Sequence, residues 1–179
     1  MIRMRRALDR RVERGFTMIE LLIVAALISI IAAFAIPRLL RARMSANEAA
    51  AIGTVKAIAT AELVYSRSCG GGGYATTLPA LSAAPGGGAP FLSPDMTAAA
   101  AIGKAGYTFA VAASASGVAG PNDCAGVGTE TAYYITAVPM SLGYTGTRSF
   151  ATSGLPIIWE INAAAAPTEP LGPPARPVQ

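Results

Sequence analysis

The sequence contains no histidine and only two cysteines, Cys69 and Cys124. Without histidine the chain lacks the commonest general base near neutral pH and the commonest metal ligand. Two thiolates alone are too few for a tetrahedral zinc site. The sequence also shows no paired-carboxylate motif and no pattern of an activated nucleophile. We therefore expect a protein that is not an enzyme and that needs no metal and no cofactor.

Charged residues are also scarce, at 13% of the 179 residues against 53% hydrophobic ones. Residues 1–15 carry six arginines and two acidic residues, which accounts for the whole net charge of +4. The rest of the chain holds eight basic and eight acidic residues and is neutral. A nucleic-acid-binding domain needs a basic face for the phosphates, so nucleic acid is not an expected partner.

One long apolar run is present, residues 16–37, and its only charged residue is Glu20. A helix of about 22 residues is roughly 33 Å long, enough to cross the hydrocarbon core of a membrane. The arginines before the run should remain cytoplasmic. The sequence thus predicts a single membrane span with the C-terminal part outside the cytoplasm, where a disulfide can persist.

Three interpretations of this run compete. A secretory signal peptide cut after Ala33-Phe34-Ala35 would need an unusually long apolar part that contains a carboxylate. A plain membrane anchor leaves Glu20 unexplained, since a carboxylate in lipid costs about 2.5–3.5 kcal/mol. Cleavage between Gly15 and Phe16 would instead create an amine one helical turn before Glu20. That amine could pair with Glu20 of its own or of a neighbouring chain and so fix the register of an assembly.

The eleven residues RGFTMIELLIV, 14–24, resemble the class III signal of type IV prepilins and pseudopilins. The resemblance rests on Gly15 at the cut, Phe16 after it, Glu20 at the fifth mature position and the uninterrupted apolar run. It implies cleavage after Gly15 by a prepilin peptidase and N-methylation of Phe16 by the same enzyme. It also implies storage in the bacterial inner membrane and assembly of many copies by a membrane platform and an ATPase motor.

Pro37 ends the apolar run and predicts either a helix end at the membrane surface or a kink. We favour the kink, because residues 38–66 are rich in helix formers. The predicted long helix then covers residues 16–66, with 16–37 in the membrane or filament core. Apolar residues at spacings of three, four and seven predict a buried stripe in its second half, with Glu48 and Glu62 among the polar positions around it. The stripe residues are Leu40, Met44, Ala51, Val55 and Ile58.

Residues 67–165 predict a globular head. The glycine run 70–73 should stop the helix and form a flexible loop. Short helical turns are expected at 76–81 and 95–102, within a connecting region that ends at 105. Strands are expected at 107–113, 132–138, 148–152 and 157–161, and their short connections favour antiparallel pairing. The segment 118–129 is expected to be a polar loop, and the five prolines of residues 166–179 predict an extended or disordered tail.

Cys69 and Cys124 either form a disulfide or remain free thiols, and an exported domain favours the disulfide. Asp123 and Glu130 flank this loop, but two carboxylates are too few to predict a calcium site. The head also resembles a recurrent bacterial pilin-like head. That resemblance rests on the segments 106–109, 133–139 and 146–150.

The predicted fold is α+β, with a long N-terminal helix packed on a small antiparallel sheet. The predicted function is that of a structural subunit of a type IV pilus-like filament, on the cell surface or in the periplasm. A pseudopilin of a type II secretion system shares every N-terminal feature and remains an alternative, as does a competence or minor pilin. An alternative of another class is an exported binding protein with a conventional membrane anchor.

Overall fold

A computed structural model describes residues 15–82, 88–154 and 157–178. The predicted leader peptide therefore lies outside the described residues except for Gly15. Helix α1 spans Met18–Ser68, 51 residues, and includes Pro37 in its interior. A short 3-10 helix covers Leu78–Ser82, and helix α2 covers Pro94–Thr97. The chain divides into two compact units with the boundary between Leu39 and Leu40; we call them the first and the second unit.

The second unit contains an antiparallel sheet of six strands in the order β1-β2-β5-β6-β7-β8 and a two-stranded sheet of β3 and β4. The strands are β1 Ala101–Lys104, β2 Tyr107–Ala113, β3 Ala119–Asn122, β4 Gly128–Glu130, β5 Tyr133–Pro139, β6 Ser149–Ser153, β7 Trp159–Ile161 and β8 Arg176–Pro177. The α+β prediction of a long helix packed on an antiparallel sheet is confirmed.

The part of α1 within the second unit buries one stripe against the sheet. Ala51, Val55 and Ile58 are fully buried, as predicted. They share a core with apolar residues of β2, β5 and β6, among them Phe109, Ile135 and Phe150. Alternate residues of β2 and β5 face this core, because side chains on a strand point to opposite faces of the sheet in turn.

The prediction of the buried stripe is wrong at its N-terminal end, and the stripe extends further than predicted at its C-terminal end. Leu40 is exposed and Met44 is only partly buried. The stripe begins instead at Glu48 and continues through Glu62, two carboxylates that were expected at polar positions around it. Both are buried because groups outside the helix give them hydrogen bonds, which periodicity along the helix does not reveal.

Four of the strands fall where alternation and turn residues predict them, within one or two residues. The helical turn expected at 95–102 is α2 only as far as Thr97, and the chain then forms β1. The predicted polar loop at 118–129 contains β3 and part of β4. These strands are only three or four residues long, and β3 and β4 together hold one β-branched residue, Thr129, and no aromatic residue, so little in the sequence marks them as strands.

The glycine run after α1 is closely packed rather than a free loop. A Cβ atom on Gly73 would lie 1.9 Å from Oγ1 of Thr129, so no larger residue fits there. Gly71 and Gly72 have positive φ angles of 59° and 99°, which glycine adopts at little cost. The run thus ends the helix and also brings Cys69 beside the β3–β4 hairpin.

The proline-rich C-terminal segment has defined partners in the second unit. Its Arg176 and Pro177 form β8, which pairs with β7 at the edge of the sheet. The carboxylate of Glu169 accepts hydrogen bonds from Oγ of Ser114 and from the backbone N–H of Ala115. The hydroxyl of Tyr134 donates to the carbonyl of Pro167.

Candidate functional site: the amino end of helix α1

The first unit exposes an apolar surface without interruption. Every large apolar side chain from Phe16 to Leu39 is exposed. Helix α1 contains an 18-residue window with a mean hydropathy of 2.8, so by length and composition it can cross a membrane. An apolar surface of this size is unfavourable in water and marks a region that contacts lipid or another protein.

Glu20, the only charged residue between Phe16 and Pro37, forms a capping box with Thr17. The backbone N–H of Thr17 donates to Oε2 of Glu20 at 2.9 Å, and the Thr17 hydroxyl donates to the same oxygen at 2.7 Å. The backbone N–H of Glu20 is 3.3 Å from Oγ1 of Thr17 and donates to it. Two N–H groups that a helix start leaves unpaired are thereby satisfied.

The sequence analysis missed this box, although the signal was present. Thr17-Met18-Ile19-Glu20 has the T-x-x-E spacing before an apolar run, which is typical of a helix start. The only role predicted for Glu20 was that of a partner for the Phe16 amine. The box shows that Glu20 also has a local role within its own chain.

Gly15, Phe16 and Thr17 precede the helix and are exposed. The predicted cleavage bond between Gly15 and Phe16 therefore lies outside the helix. The predicted pairing of Glu20 with a Phe16 amine requires a cleaved chain and stays a prediction. So does the kink at Pro37, since α1 continues through this residue as a helix and does not end there.

The disulfide between Cys69 and Cys124 is present and links residues 55 positions apart. Asp123, next to it, is buried, and its Oδ2 accepts a hydrogen bond of 2.7 Å from the hydroxyl of Tyr65 on α1. Its Oδ1 accepts from the backbone N–H groups of Ala125 and Val127. Burial opposes ionisation of Asp123, but these hydrogen bonds outweigh it and lower its pKa.

Asp123 is therefore engaged in holding the hairpin loop to the helix. Glu130 instead uses its backbone, which exchanges two hydrogen bonds with Tyr74. Among residues 15–82, 88–154 and 157–178, no three His, Cys, Asp or Glu side chains are grouped as a metal-ligand set.

A second polar cluster joins α1 to the sheet through Arg148. The guanidinium of Arg148 donates to Oε2 of Glu48 through Nη2 at 2.7 Å and through Nε at 2.9 Å. It also donates to Oε2 of Glu160 at 2.5 Å, and Arg176 donates to the other oxygen of Glu160. Burial opposes ionisation of Glu48, but hydrogen bonds from Thr147 and Arg148 lower its pKa below the usual range.

Glu62 is the second buried acid of helix α1, and no basic side chain among the described residues is paired with it. Its Oε2 accepts a hydrogen bond of 2.9 Å from the backbone N–H of Ala75. Its Oε1 has no hydrogen-bond partner among the described residues. Burial raises the pKa of Glu62 to about 8, against a smaller lowering by the Ala75 N–H. The carboxyl group is therefore mostly protonated at pH 7.

The prokaryotic N-terminal methylation motif matches residues 10–36 of this chain. The match covers the Gly15–Phe16 junction, the capping box and the apolar part of α1 that ends before Pro37, and it covers none of the sheet. No curated protein and no solved structure matches the chain.

The motif is the signature of type IV pilins, and it indicates a pilin-like or pseudopilin-like protein that is processed as a prepilin. It is a motif of structural proteins, and with the apolar helix it is consistent with membrane anchoring before assembly.

Proposed function

Starting from the methylation motif, we propose that this chain is a structural subunit of a type IV pilus-like filament. The observation that carries the proposal is the exposed apolar surface of residues 16–37 with Glu20 as its single charge. The chain is held in the bacterial inner membrane with the second unit outside the cytoplasm. A prepilin peptidase cleaves it after Gly15 and methylates the new amine of Phe16.

Apolar burial alone does not drive such a segment from the membrane into a filament. Lipid tails are as apolar as leucine, so exchanging lipid contacts for contacts with another copy gives little hydrophobic gain. A carboxylate in hydrocarbon is costly, and pairing with a cationic amine removes much of that cost. The pair formed by Glu20 and the Phe16 amine of a neighbouring copy thus favours assembly and fixes the axial register.

The capping box is compatible with this pairing. A carboxylate has about four acceptor positions on its two oxygens. Both hydrogen bonds from Thr17 reach Oε2 of Glu20. The amine of another copy can therefore bind the same carboxylate without opening the box.

Self-assembly makes further copies of this chain its main partners, and membrane lipid surrounds the stored subunit. An inner-membrane platform and a cytoplasmic ATPase motor drive the assembly, and the finished filament lies on the cell surface or in the periplasm. A pseudopilus of a type II secretion system would use the same segment. Sheared surface fibres that contain this chain favour a pilus, and a chain found only in periplasmic assemblies favours a pseudopilus.

Glu20→Gln tests the mechanism, because glutamine can also form a capping box but carries no charge. We expect the variant to enter the membrane and to be cleaved, yet to yield at least tenfold fewer filaments, from the loss of about 1.4 kcal/mol or more per contact. Mass spectrometry of the mature N-terminus measures cleavage, and electron microscopy of sheared fibres measures assembly. Ser29→Ala is the matched control, since it also removes one polar group from the segment, a hydroxyl bonded only to the Ala25 carbonyl.

Normal filaments from Glu20→Gln would contradict the pairing mechanism. A mature chain that begins at Met1 or Ile36 rather than Phe16 would contradict the proposed function as a whole.

A further inference from the structure

The loop that connects β5 to β6 exposes three large apolar side chains. Met140, Leu142 and Tyr144 are 64%, 45% and 78% exposed. Large apolar side chains clustered on a surface mark a region that contacts another protein or a membrane. We call residues 140–147 the apolar loop.

Hydrogen bonds, rather than burial of these side chains, hold the apolar loop in one shape. The backbone N–H groups of Tyr144 and Thr145 donate to the carbonyl of Ser141 at 3.1 and 2.9 Å. The N–H of Gly143 donates to the carbonyl of Gly146 at 2.8 Å. Because the backbone is already ordered, binding of the loop to a partner loses little conformational entropy.

The apolar loop is bonded to helix α1 near the start of the second unit. Nδ2 of Asn47 donates to the carbonyl of Thr145 at 2.9 Å, and the N–H of Thr147 donates to Oε1 of Glu48 at 2.7 Å. Asn47 follows the first residue of the second unit, Leu40, by only two helical turns. The loop therefore lies at the end of the second unit that is covalently joined to the apolar segment.

The helix face that leads from Leu40 to the loop is apolar and basic. Residues three or four apart lie on the same face of a helix, so Leu40, Arg43 and Met44 share the face of Asn47. Leu40 is 48% exposed, and Arg41 and Arg43 are exposed as well. Within the described part of the chain, neither arginine forms an ion pair.

The charge around the loop has one sign. The segments 38–46 and 139–147 contain three arginines and no acidic residue. The next acid along the helix, Glu48, is buried and bonded to Arg148. Arginine binds the phosphates of anionic lipids, and tyrosine is enriched at the boundary between lipid and water. A basic surface with exposed apolar side chains therefore complements an anionic membrane.

We propose that, before assembly, the apolar loop together with Arg41 and Arg43 docks the second unit on the anionic lipid surface of the membrane. The apolar side chains of the loop enter the lipid interface, and the two guanidinium groups bind lipid phosphates. The inference rests on the proposed function, because it takes residues 16–37 as a membrane span.

The length of helix between the span and the loop permits this docking. A helix rises about 1.5 Å per residue, so Arg41 and Arg43 follow Pro37 by about 6 and 9 Å. The headgroup layer is about 5–7 Å deep on each side of the hydrocarbon core, within reach of both side chains. Asn47, which holds the loop, follows Pro37 by about 15 Å. Membrane helices tilt by about 20° on average, and a tilt toward this face lowers the loop to the lipid.

The test measures lipid contact of the loop in the full chain, with one chain in each nanodisc. Trp159→Phe removes the only tryptophan, and Tyr144→Trp then places a fluorescent probe in the loop. The nanodiscs contain phosphatidylglycerol and phosphatidylcholine, with or without bromine on the acyl chains, because bromine quenches a nearby indole. We expect the emission of Tyr144→Trp to shift to shorter wavelength and to be quenched by brominated lipid.

Val127→Trp in the same Trp159→Phe background is the matched control. Val127 is also an exposed apolar residue, at 50%, but its N–H is bonded to Asp123, which accepts a hydrogen bond from Tyr65. Tyr65 lies about 27 Å further along α1 than Asn47. Brominated lipid should therefore leave the fluorescence of Val127→Trp unchanged.

The contribution of the arginines is measured with Arg41→Gln/Arg43→Gln in the Tyr144→Trp chain. An arginine near an anionic surface favours binding by about fivefold, so the ratio of docked to undocked chains should fall by up to about 25-fold. Nanodiscs of phosphatidylcholine alone should give a similar loss. Arg67→Gln is the control, since Arg67 is an exposed arginine in the last turn of α1.

Each result decides a different point. If the chain does not stay in the nanodisc, residues 16–37 are not a membrane span, and the proposed function fails with this inference. If the chain stays and Tyr144→Trp is quenched no more than Val127→Trp, only this inference fails. If the loop is shielded only when several chains share a nanodisc, a second copy covers it, and lipid docking is overturned. Equal quenching in neutral and anionic lipid would overturn the role of Arg41 and Arg43.

Discussion

The carboxylates in the two parts of helix α1 have opposite environments, exposed in the first part and buried in the second. Before Leu40, Glu20 stands alone on an exposed apolar surface and is bonded only to Thr17. After Leu40, Glu48 and Glu62 are buried and bonded to other segments of the same chain. One helix therefore holds a segment that is exposed along its whole length and a segment whose acids are bonded to other parts of the same chain.

The contrast is consistent with the range of the methylation motif, which covers only the first part of the helix. The exposed part matches the methylation motif, and under the proposed function its contacts with lipid and with identical copies require a fixed pattern of residue types. The buried part must fit only the sheet of its own chain. Glu48 requires Arg148 and Glu62 requires the Ala75 N–H, and both partners come from outside the helix.

Removing the disulfide should give the largest effect and should be confined to the second unit. The double variant Cys69→Ser/Cys124→Ser loses a loop constraint over 55 positions. We expect the free energy of unfolding of the second unit to fall by about 4 kcal/mol. Urea unfolding of the full chain in micelles, followed by the fluorescence of Trp159, measures it.

Trp159 is the only tryptophan of the chain and lies in the second unit, so its signal does not report the first unit. Helicity of residues 18–39 should be unchanged in the double variant. A loss of helix there would contradict the independence of the two units.

The next largest effect should come from Arg148, which neutralises two buried acids. Arg148→Ala leaves Glu48 and part of Glu160 without a cation, and the acidic side chains are only 8% and 7% exposed. We expect a loss of about 3 kcal/mol, since a buried charge is left unpaired. The same urea experiment measures it.

Arg176→Ala is the matched control, because it removes another arginine from the same cluster. The Arg176 side chain is 70% exposed, and its removal leaves Glu160 paired with Arg148. An exposed ion pair contributes about 1 kcal/mol or less. If Arg148→Ala and Arg176→Ala lowered the free energy of unfolding equally, burial of the acids would not determine how much the loss of an arginine destabilises the fold.

A smaller and pH-dependent effect should come from Glu62. Its pKa is raised to about 8 in the folded chain by burial, against an ordinary value of 4.5. The folded state thus binds a proton that the unfolded state releases above pH 4.5. The stabilisation is fully present below pH 4.5 and is lost as the pH rises through 8. We expect a fall of about 2.5 kcal/mol between pH 5 and pH 7, and a further fall by pH 8.

Glu62→Gln should remove this slope, because the amide does not titrate. Because the chain has no histidine, it has no side chain whose ordinary pKa lies between 5 and 8. The change in stability between these pH values can therefore be assigned to Glu62. The measurement is urea unfolding at several pH values. A parent chain equally stable at pH 5 and pH 8 would refute the proton uptake at Glu62.

The sequence predicted much of the fold because the relevant signals are local. The apolar run, the helix formers after Pro37 and the alternation in β2 and β5 each act within a few residues. The position of the disulfide followed from there being only two cysteines. The strands β1, β3, β4 and β8 were missed, since they have only two to four residues and are recognised by their pairing with a partner strand rather than by their own composition.

The features of the candidate site can also be separated into those that local sequence specifies and those that tertiary contacts specify. The sequence alone determined the apolar segment, its single acid and the likeness to a class III signal, since residue type and spacing specify all three. Only the tertiary structure decided that Glu48 and Glu62 are buried, that the glycine run packs against Thr129, and that the proline-rich end pairs with the sheet. Each of these features depends on contacts between residues that are far apart in the chain. The residue pattern within one segment does not show which distant segment it will contact.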